Sequence, residues 1–322
     1  MHVRYVIALA LVACSNNKTQ PMPDAPKDVG FAKPTASLRA NKQLGKCSVT
    51  TATVCTKDAD CPTSETCANI IWTDIGAADL SCLGTASSDV GTAAQMMYST
   101  TVKDFQSGNA VPQATVIAFD GVDTATQFDM QTSDASGNVT FTIPAGTKRV
   151  GFKMTADSVM PTFLLNQYFS TCTATPCTTP NKIQSVSNAT AQTLPALIGE
   201  TRTPGTGVLA GALRDCMQHE MSNFIATVSS TSHMATPLVG AEAYYFSAGV
   251  DLPVHHSQQD ASSGDGLFMA IQLPPMATAY VQMWGFKSDA DITSGTLTEV
   301  AELQVPVLAD TVITGSYEPL RQ

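Results

Sequence analysis

Thr115-Val-Ile-Ala-Phe119, Val139-Thr-Phe-Thr-Ile143 and Val150-Gly-Phe-Lys-Met154 are the runs that decide the fold. Each is short and rich in β-branched or aromatic residues, with the alternation of a half-buried strand. Asp134-Ala-Ser-Gly137-Asn138 separates the first two runs, and Pro144-Ala-Gly146 separates the last two. Both pieces carry turn chemistry: Gly supplies left-handed backbone and Asp or Asn bonds its own main chain. Helix-length periodicity is nearly absent, and the one candidate is a short piece near Leu194-Pro-Ala-Leu-Ile198. The chain is therefore expected to be all-β.

The same order of features occurs twice. The first copy runs Val102-Lys-Asp104-Phe105, Val111-Pro-Gln-Ala114, Thr115 to Phe119, Asp134-Ala-Ser-Gly137 and Ile143-Pro144. The second runs Leu213-Arg-Asp215-Cys216, Leu238-Val-Gly-Ala241, Ala243-Tyr-Tyr-Phe246, Ser263-Gly-Asp-Gly266 and Leu273-Pro274. A further apolar strand follows each, Val150–Met154 and Ala279–Trp284. The second copy carries an insertion between Asp215 and Leu238 that is itself strand-like, Phe224-Ile-Ala-Thr-Val228.

Residues 102–154, and more loosely 208–286, resemble carboxypeptidase regulatory-like and related bacterial immunoglobulin-like domains. Their pattern is a strand ending in Asp, a Pro-Val-x-Gly-Ala-x-Val stretch, a long hairpin, a Thr-Asp-x-x-Gly turn and a strand ending Ile-Pro. Ala243 stands where Val is usual. Arg214-Asp215-Cys216 resembles large exported lipoproteins in which an Asp-Cys pair opens each domain. The resemblance implies two immunoglobulin-like or prealbumin-like β-sandwich domains without catalysis of their own. It suits the sandwich-sized lengths of 96–190 and 191–322.

The N terminus points to export. Met1-His-Val-Arg-Tyr5 is a short basic start and Val6–Ala13 an uncharged apolar run, too short to span a bilayer but suited to a signal peptide. Leu11-Val12-Ala13-Cys14-Ser15 resembles the lipobox of bacterial lipoproteins, which implies cleavage before Cys14 and lipidation of that residue. Ser15 resembles the default outer-membrane sorting pattern. Residues 1–13 are thus read as signal peptide. Residues 14–46, which include the Pro-rich Asn16–Pro26, are read as lipidated Cys and flexible tether.

Nine cysteines remain to be explained: Cys14, Cys47, Cys55, Cys61, Cys67, Cys82, Cys172, Cys177 and Cys216. Lipidation removes Cys14 and leaves eight, an even number that permits four disulfides in an oxidising compartment. Five of them lie in the Cys-rich segment 47–95, and five cannot pair among themselves. At least one bridge must reach from that cluster to Cys172, Cys177 or Cys216. The Cys172-x4-Cys177 spacing suits local loop closure, and Cys82 with Cys216 is the expected cross-link. Zinc is disfavoured, because gaps of seven, five, five and fourteen residues do not match ribbon spacing and no His lies in the segment. Asp58-Ala-Asp60-Cys61-Pro62 through Cys67 resembles small secreted disulfide modules, which are scaffolds.

Composition agrees with export. Over 322 residues, charged side chains are only 14%, against 43% hydrophobic. Net charge is −10. Residues 51–322 hold ten basic and 25 acidic side chains, so the chain offers no footprint for nucleic acid.

Enzymatic signatures in the sequence are incomplete. His219-Glu220 lacks the second His of a zincin, since Asn223 stands there. Gly205-Thr-Gly207-Val-Leu-Ala210 precedes a strand instead of following one, unlike a dinucleotide fold. No nucleophile elbow is present. His255-His256 on a strand would point to opposite faces, and is read as a solvated hairpin tip. Asp58/Asp60 and Asp289/Asp291 lack the glycine and terminal Glu of a calcium loop. Trp72, Trp284, Tyr244, Tyr245 and Tyr280 are expected to fill cores before forming a sugar platform.

The sequence therefore predicts a non-enzymatic cell-envelope lipoprotein, held to a membrane by lipid, with no metal, cofactor or nucleic acid. Its sandwiches would serve structural or adhesive interaction. The alternative is a carbohydrate- or protein-binding module of a surface assembly, and an enzyme of unknown class ranks third.

Overall fold

The computed structural model describes residues 45–321 apart from 51–53, 56–57, 70–77, 169–176, 179–181, 234–237, 239–240, 248–251, 255–258, 260, 288–290 and 292–296. Chain order begins with three short strands, β1 (Gly45–Cys47), β2 (Val54–Cys55) and β3 (Cys67–Asn69), in one small antiparallel sheet of order β2-β1-β3. A disulfide from Cys47 to Cys61 closes it, with Cα atoms 5.5 Å apart. So small a unit buries little apolar surface, and the cross-link substitutes for a core.

The first sandwich uses β4 (Met96–Asp104), β5 (Thr115–Asp120), β6 (Asp123–Thr132), β7 (Asn138–Ile143), β8 (Arg149–Ala156) and β9 (Val159–Tyr168), with short β10 (Cys177–Thr178) and β11 (Ile183–Ser185). β4 pairs antiparallel with β7 and parallel with β10 and β11. β5 pairs with β6 and β8, and β8 with β9. Burial alternates along β4 and β7, as period-two sequences require when one face meets a core. The inward residues interdigitate across the two sheets: Phe141 lies 5.3 Å and Tyr98 5.9 Å from the Phe152 ring. Burying each such side chain contributes about 1.5–3 kcal/mol.

A helix, α1 (Asn188–Leu197), then leads to the second sandwich. That sandwich is built from β12 (Gly207–Leu213), β13 (Ile225–Ser229), β14 (Glu242–Phe246), β15 (Pro253–Val254), β16 (Leu267–Leu273), β17 (Met276–Gly285), β18 (Thr298–Val307) and β19 (Val312–Tyr317). The sheet β13-β17-β18 covers β14, β16, β12 and β19 over a core containing Phe224, Tyr245, Phe268 and Tyr317. Gly211 permits that packing, since a Cβ there would sit 2.5 Å from the Tyr317 ring. α1 begins six residues before the expected piece. Ser187 caps it, its hydroxyl accepting from the Thr190 main-chain N–H at 3.1 Å.

The two sandwiches share a sheet. β19 pairs parallel with β12 on one side and with β9 of the first sandwich on the other. The result is nine strands in the order β15-β14-β16-β12-β19-β9-β8-β5-β6. Alternation along β9 explains how one sheet serves two cores. Leu164 faces Phe152 and the first core, while Phe163 and Leu165 face Ile313 and the second. The two covering sheets therefore lie on opposite faces, toward opposite ends.

The duplicated order survives as strand order and in one pairing, β4 with β7 matching β12 with β16, but not in the next. In the first copy β5 pairs with β8. The corresponding strand of the second copy, β14, pairs with β16 and β15, and the inserted β13 takes the edge of β17. The insertion competes for a strand edge and displaces the later strand onto the other sheet.

Candidate functional site

Among the described residues, the shared sheet leaves part of one face uncovered between the sandwiches. The β4/β11 sheet covers the first end and α1 covers the far end, where Leu194 and Ile198 pack on Tyr244, Phe246, Met269 and Ile271. A groove of about 270 Å³ remains between them. Its floor follows from strand register. Val208, Ala210 and Ala212 of β12 lie beside Val312, Thr314 and Ser316 of β19 on the face turned away from the second core. Small residues at 210 and 212 give depth where larger ones would fill the space.

The groove is graded in polarity. Val208 and Val312 mark an apolar end near Ala191 of α1. Toward the other end come Gln167, Ser316 and Arg214, with Lys182 and Gln184 also on the wall. Gln167 donates to the Ser316 hydroxyl at 3.0 Å. Arg214 donates to Glu220 at 3.2 Å, while its Nε is buried without a hydrogen-bond partner among the described residues.

The two repeat aspartates close equivalent turns. Asp104 Oδ1 accepts from Ser107 N at 2.8 Å, and Asp215 Oδ1 from Met217 N at 2.8 Å and His219 N at 2.9 Å. Asp104 also reaches Ser187 N through Oδ2 at 2.9 Å, which ties the end of β4 to the start of α1. Burial acts to raise the Asp104 carboxyl, but hydrogen bonds from Ser107 and Ser187 outweigh it and hold it below the ordinary carboxylate range. Asp215 Oδ2 instead accepts from Asp79 N at 3.0 Å, and Cys216 N donates to the Asp79 carbonyl at 2.8 Å. These bonds seat residues 79–85 on the second sandwich, where Cys82 forms a disulfide with Cys216.

Other residues singled out in the sequence have plain placements. Cys177 is disulfide-bonded. Cys14, Cys172, Trp72, His255, His256 and Asp289 lie outside the described residues, as do the side chains of Cys55, Cys67 and Asp60. Trp284, Tyr244 and Tyr245 are buried, and Trp284 Nε1 donates to Thr227 Oγ1 at 3.0 Å. His219 is exposed, beside Asp215. Asp291 accepts from Lys287 N at 3.2 Å, and Asp58 sits in a 3-10 turn. Among the described residues, one group of side chains has metal-ligating spacing: His233, Glu299 and Glu302. Sequence reading missed it because its members come from separate elements.

No protein-family model matches the chain. No curated protein sequence matches it either. Among solved structures, similarity is to the TIE protein of Bacillus anthracis (10% identity, 70% of this chain and 34% of that one, TM-score 0.22). It extends to the shaft pilin SpaA from Lactobacillus rhamnosus GG (8% identity, 70% and 98% covered, TM-score 0.21). A mutant of the major pilin from Streptococcus pyogenes is similar too (11% identity, 71% and 99% covered, TM-score 0.17). The chain thus spans about a third of the TIE protein. No helix among the described residues is long and apolar enough to cross a membrane.

Proposed function

We propose that this protein is a non-enzymatic cell-envelope lipoprotein, anchored through Cys14 to the outer membrane, whose paired sandwiches form one rigid unit for structural or adhesive interaction. The observation that carries the reading is the Cys82–Cys216 cross-link laid over a shared sheet. Disulfides persist in oxidising compartments outside the cytoplasm. Fusion through β9 and β19 makes a stiff body of two sandwiches, which suits display more than induced closure over a substrate. Residues 14–46 serve as tether between lipid and body. Limited proteolysis of intact cells and of separated envelope fractions tests display. The reading expects the body in the membrane fraction; recovery of wild-type protein in the cytosol with free thiols contradicts it.

The groove favours a second reading, a binding module for an envelope protein. Its apolar floor with Lys182 and Arg214 on the wall suits an apolar peptide segment bearing an acidic residue. Tyr244, Tyr245 and Trp284 are buried, which leaves the half-buried Tyr280 as the one accessible member of that aromatic set among the described residues and no platform of several rings for a polysaccharide. An Ala210→Leu variant fills the groove from its floor and should abolish enhancement of an anionic anilinonaphthalene dye; unchanged dye binding removes the groove as a site.

A further inference from the structure

We propose that His233, Glu299 and Glu302 form a binding site for a divalent transition-metal ion, of the class that takes one imidazole and two carboxylates. The placement of the two carboxylates is not what a regular strand gives. Glu299 and Glu302 are three apart on β18, an odd spacing that sends side chains to opposite faces. The register with β17 shifts at this point: Met283 opposes Ala301 and Trp284 opposes Glu299, so Val300 is an extra residue. A bulge of this kind restores the parity and turns both carboxylates to one side, while Val300 and Ala301 both stay in the core.

His233 arrives from the segment after β13 with φ of +55°, in the left-handed region that non-glycine residues visit uncommonly, and local contacts constrain it there. That constraint is visible. Its main-chain N–H donates to Glu302 Oε2 at 2.7 Å, and Ser232 Oγ donates to Glu302 Oε1 at 2.6 Å. The ring then sits between the carboxylates, Nδ1 at 2.8 Å from Glu299 Oε2 and Nε2 at 3.8 Å from Glu302 Oε1. One ligand atom from each residue lies within 4.8 Å of the others, a spacing that a single ion draws together.

Two further features point to a cation. Both carboxylates are largely removed from water, with 12% and 9% of their side chains exposed, yet His233 is their one ion-pair partner among the described residues. Even with that imidazole charged, two carboxylates leave a negative site. Glu299 Oε1 is buried without a hydrogen-bond partner among the described residues, a lone-pair oxygen in a position that normally demands one. Glu302 is oriented by Gln282, whose Nε2 donates to it at 2.8 Å and to the Thr231 carbonyl at 3.0 Å. Such outer contacts fix ligands in metal sites. Imidazole with carboxylates suits zinc or manganese over calcium or magnesium, which prefer oxygen alone.

The test is titration of the chelator-treated full-length protein with Zn²⁺ and, separately, with Mn²⁺, followed by calorimetry and by thermal melting. Saturable binding of one equivalent is expected, with a rise in melting temperature. Glu299→Gln and His233→Ala should each weaken binding at least about tenfold and remove the thermal shift. His233 is exposed, so its variant keeps the test usable if Glu299→Gln misfolds. A His255→Ala/His256→Ala double variant should bind as wild type. No saturable binding of Zn²⁺ or Mn²⁺, or binding abolished by the double variant and retained by His233→Ala, overturns the site.

Discussion

Cys82 and Cys216 are bonded with their Cα atoms 5.8 Å apart, across a sequence separation of 134 residues. The bond joins the segment before the first sandwich to the turn that opens the second repeat. It thereby encloses the whole first sandwich, α1 and β12 in one covalent loop. Leu80 and Leu83 beside it pack against the second core, so the cross-link lies on a docked surface and not on a free strand.

Removing this bond should lower stability without separating the sandwiches. A loop of this size constrains the unfolded chain by about 4–5 kcal/mol in the chain-entropy model. Cys82→Ser paired with Cys216→Ser, which avoids stray thiols, should lower the melting temperature substantially. Hydrogen exchange of β9 and β19 in the native state should stay slow, because their pairing does not depend on sulfur. Rapid exchange there would show that the disulfide, not the shared sheet, holds the units together.

Arg149 is a second fastening. Its guanidinium donates to both Glu318 oxygens at 3.1 and 3.0 Å, Nε reaches Asp89 at 2.7 Å, and the group lies 4.5 Å from the Tyr168 ring centre. Only 18% of the side chain is exposed. Arg149→Ala leaves two half-buried carboxylates unpaired and should cost about 1–3 kcal/mol, discounted for residual solvent. Arg149→Lys should recover little of it, because an ammonium cannot fork. Urea midpoints of the three proteins decide this.

Tyr317 predicts the opposite sign. Its hydroxyl is buried without a partner among the described residues, and burial drives its ionisation well above the ordinary tyrosine range. Tyr317→Phe keeps the ring against Phe268, 5.3 Å away, and removes the unmet polar group. It should be neutral or stabilising, by up to about 1–2 kcal/mol. A clear loss of stability in calorimetry would show that the hydroxyl has a role.

Asp104 sets a pH dependence. A carboxyl whose pKa is lowered on folding contributes stability above its unfolded value, near 3.9, and the contribution fades as pH falls through the depressed folded value. Asp104→Asn should therefore destabilise at pH 7 by more than at pH 3, so that the two urea midpoints converge in acid. A constant difference would place the effect in shape and not in charge.

The strands were legible because half-buried segments carry period-two alternation: β5, β7, β8, β13 and β17 fall on the runs Thr115–Phe119, Val139–Ile143, Val150–Met154, Phe224–Val228 and Ala279–Trp284. That some bridge joins the early cluster to a later cysteine was legible from parity, whereas its members, Cys82 and Cys216, were not fixed by it. Pairing partners were not. Val312–Tyr317 reads as any apolar strand, and nothing local says that it pairs with Thr162–Leu165 on one side and Val208–Leu213 on the other. The helix was only partly legible: Asn-Ala-Thr-Ala-Gln-Thr gives no apolar stripe, and its start is declared by the Ser187 cap alone. His233 is 66 residues from Glu299, and the bulge at Val300 defeats the alternation rule that would have separated the carboxylates. The groove depends on which sheet face is left bare, a property of packing and not of any one segment.

The central claim is that a lipid on Cys14 holds this cross-linked body at the cell envelope. Metabolic labelling with an alkyne fatty acid, followed by mass spectrometry of the amino-terminal peptide and membrane fractionation, tests it most directly. The account predicts a mature chain that begins at an acylated Cys14 in the membrane fraction, and a Cys14→Ala protein that takes up no label and leaves that fraction. A wild-type protein that carries no label, together with a Cys14→Ala protein that remains membrane-bound, would contradict it.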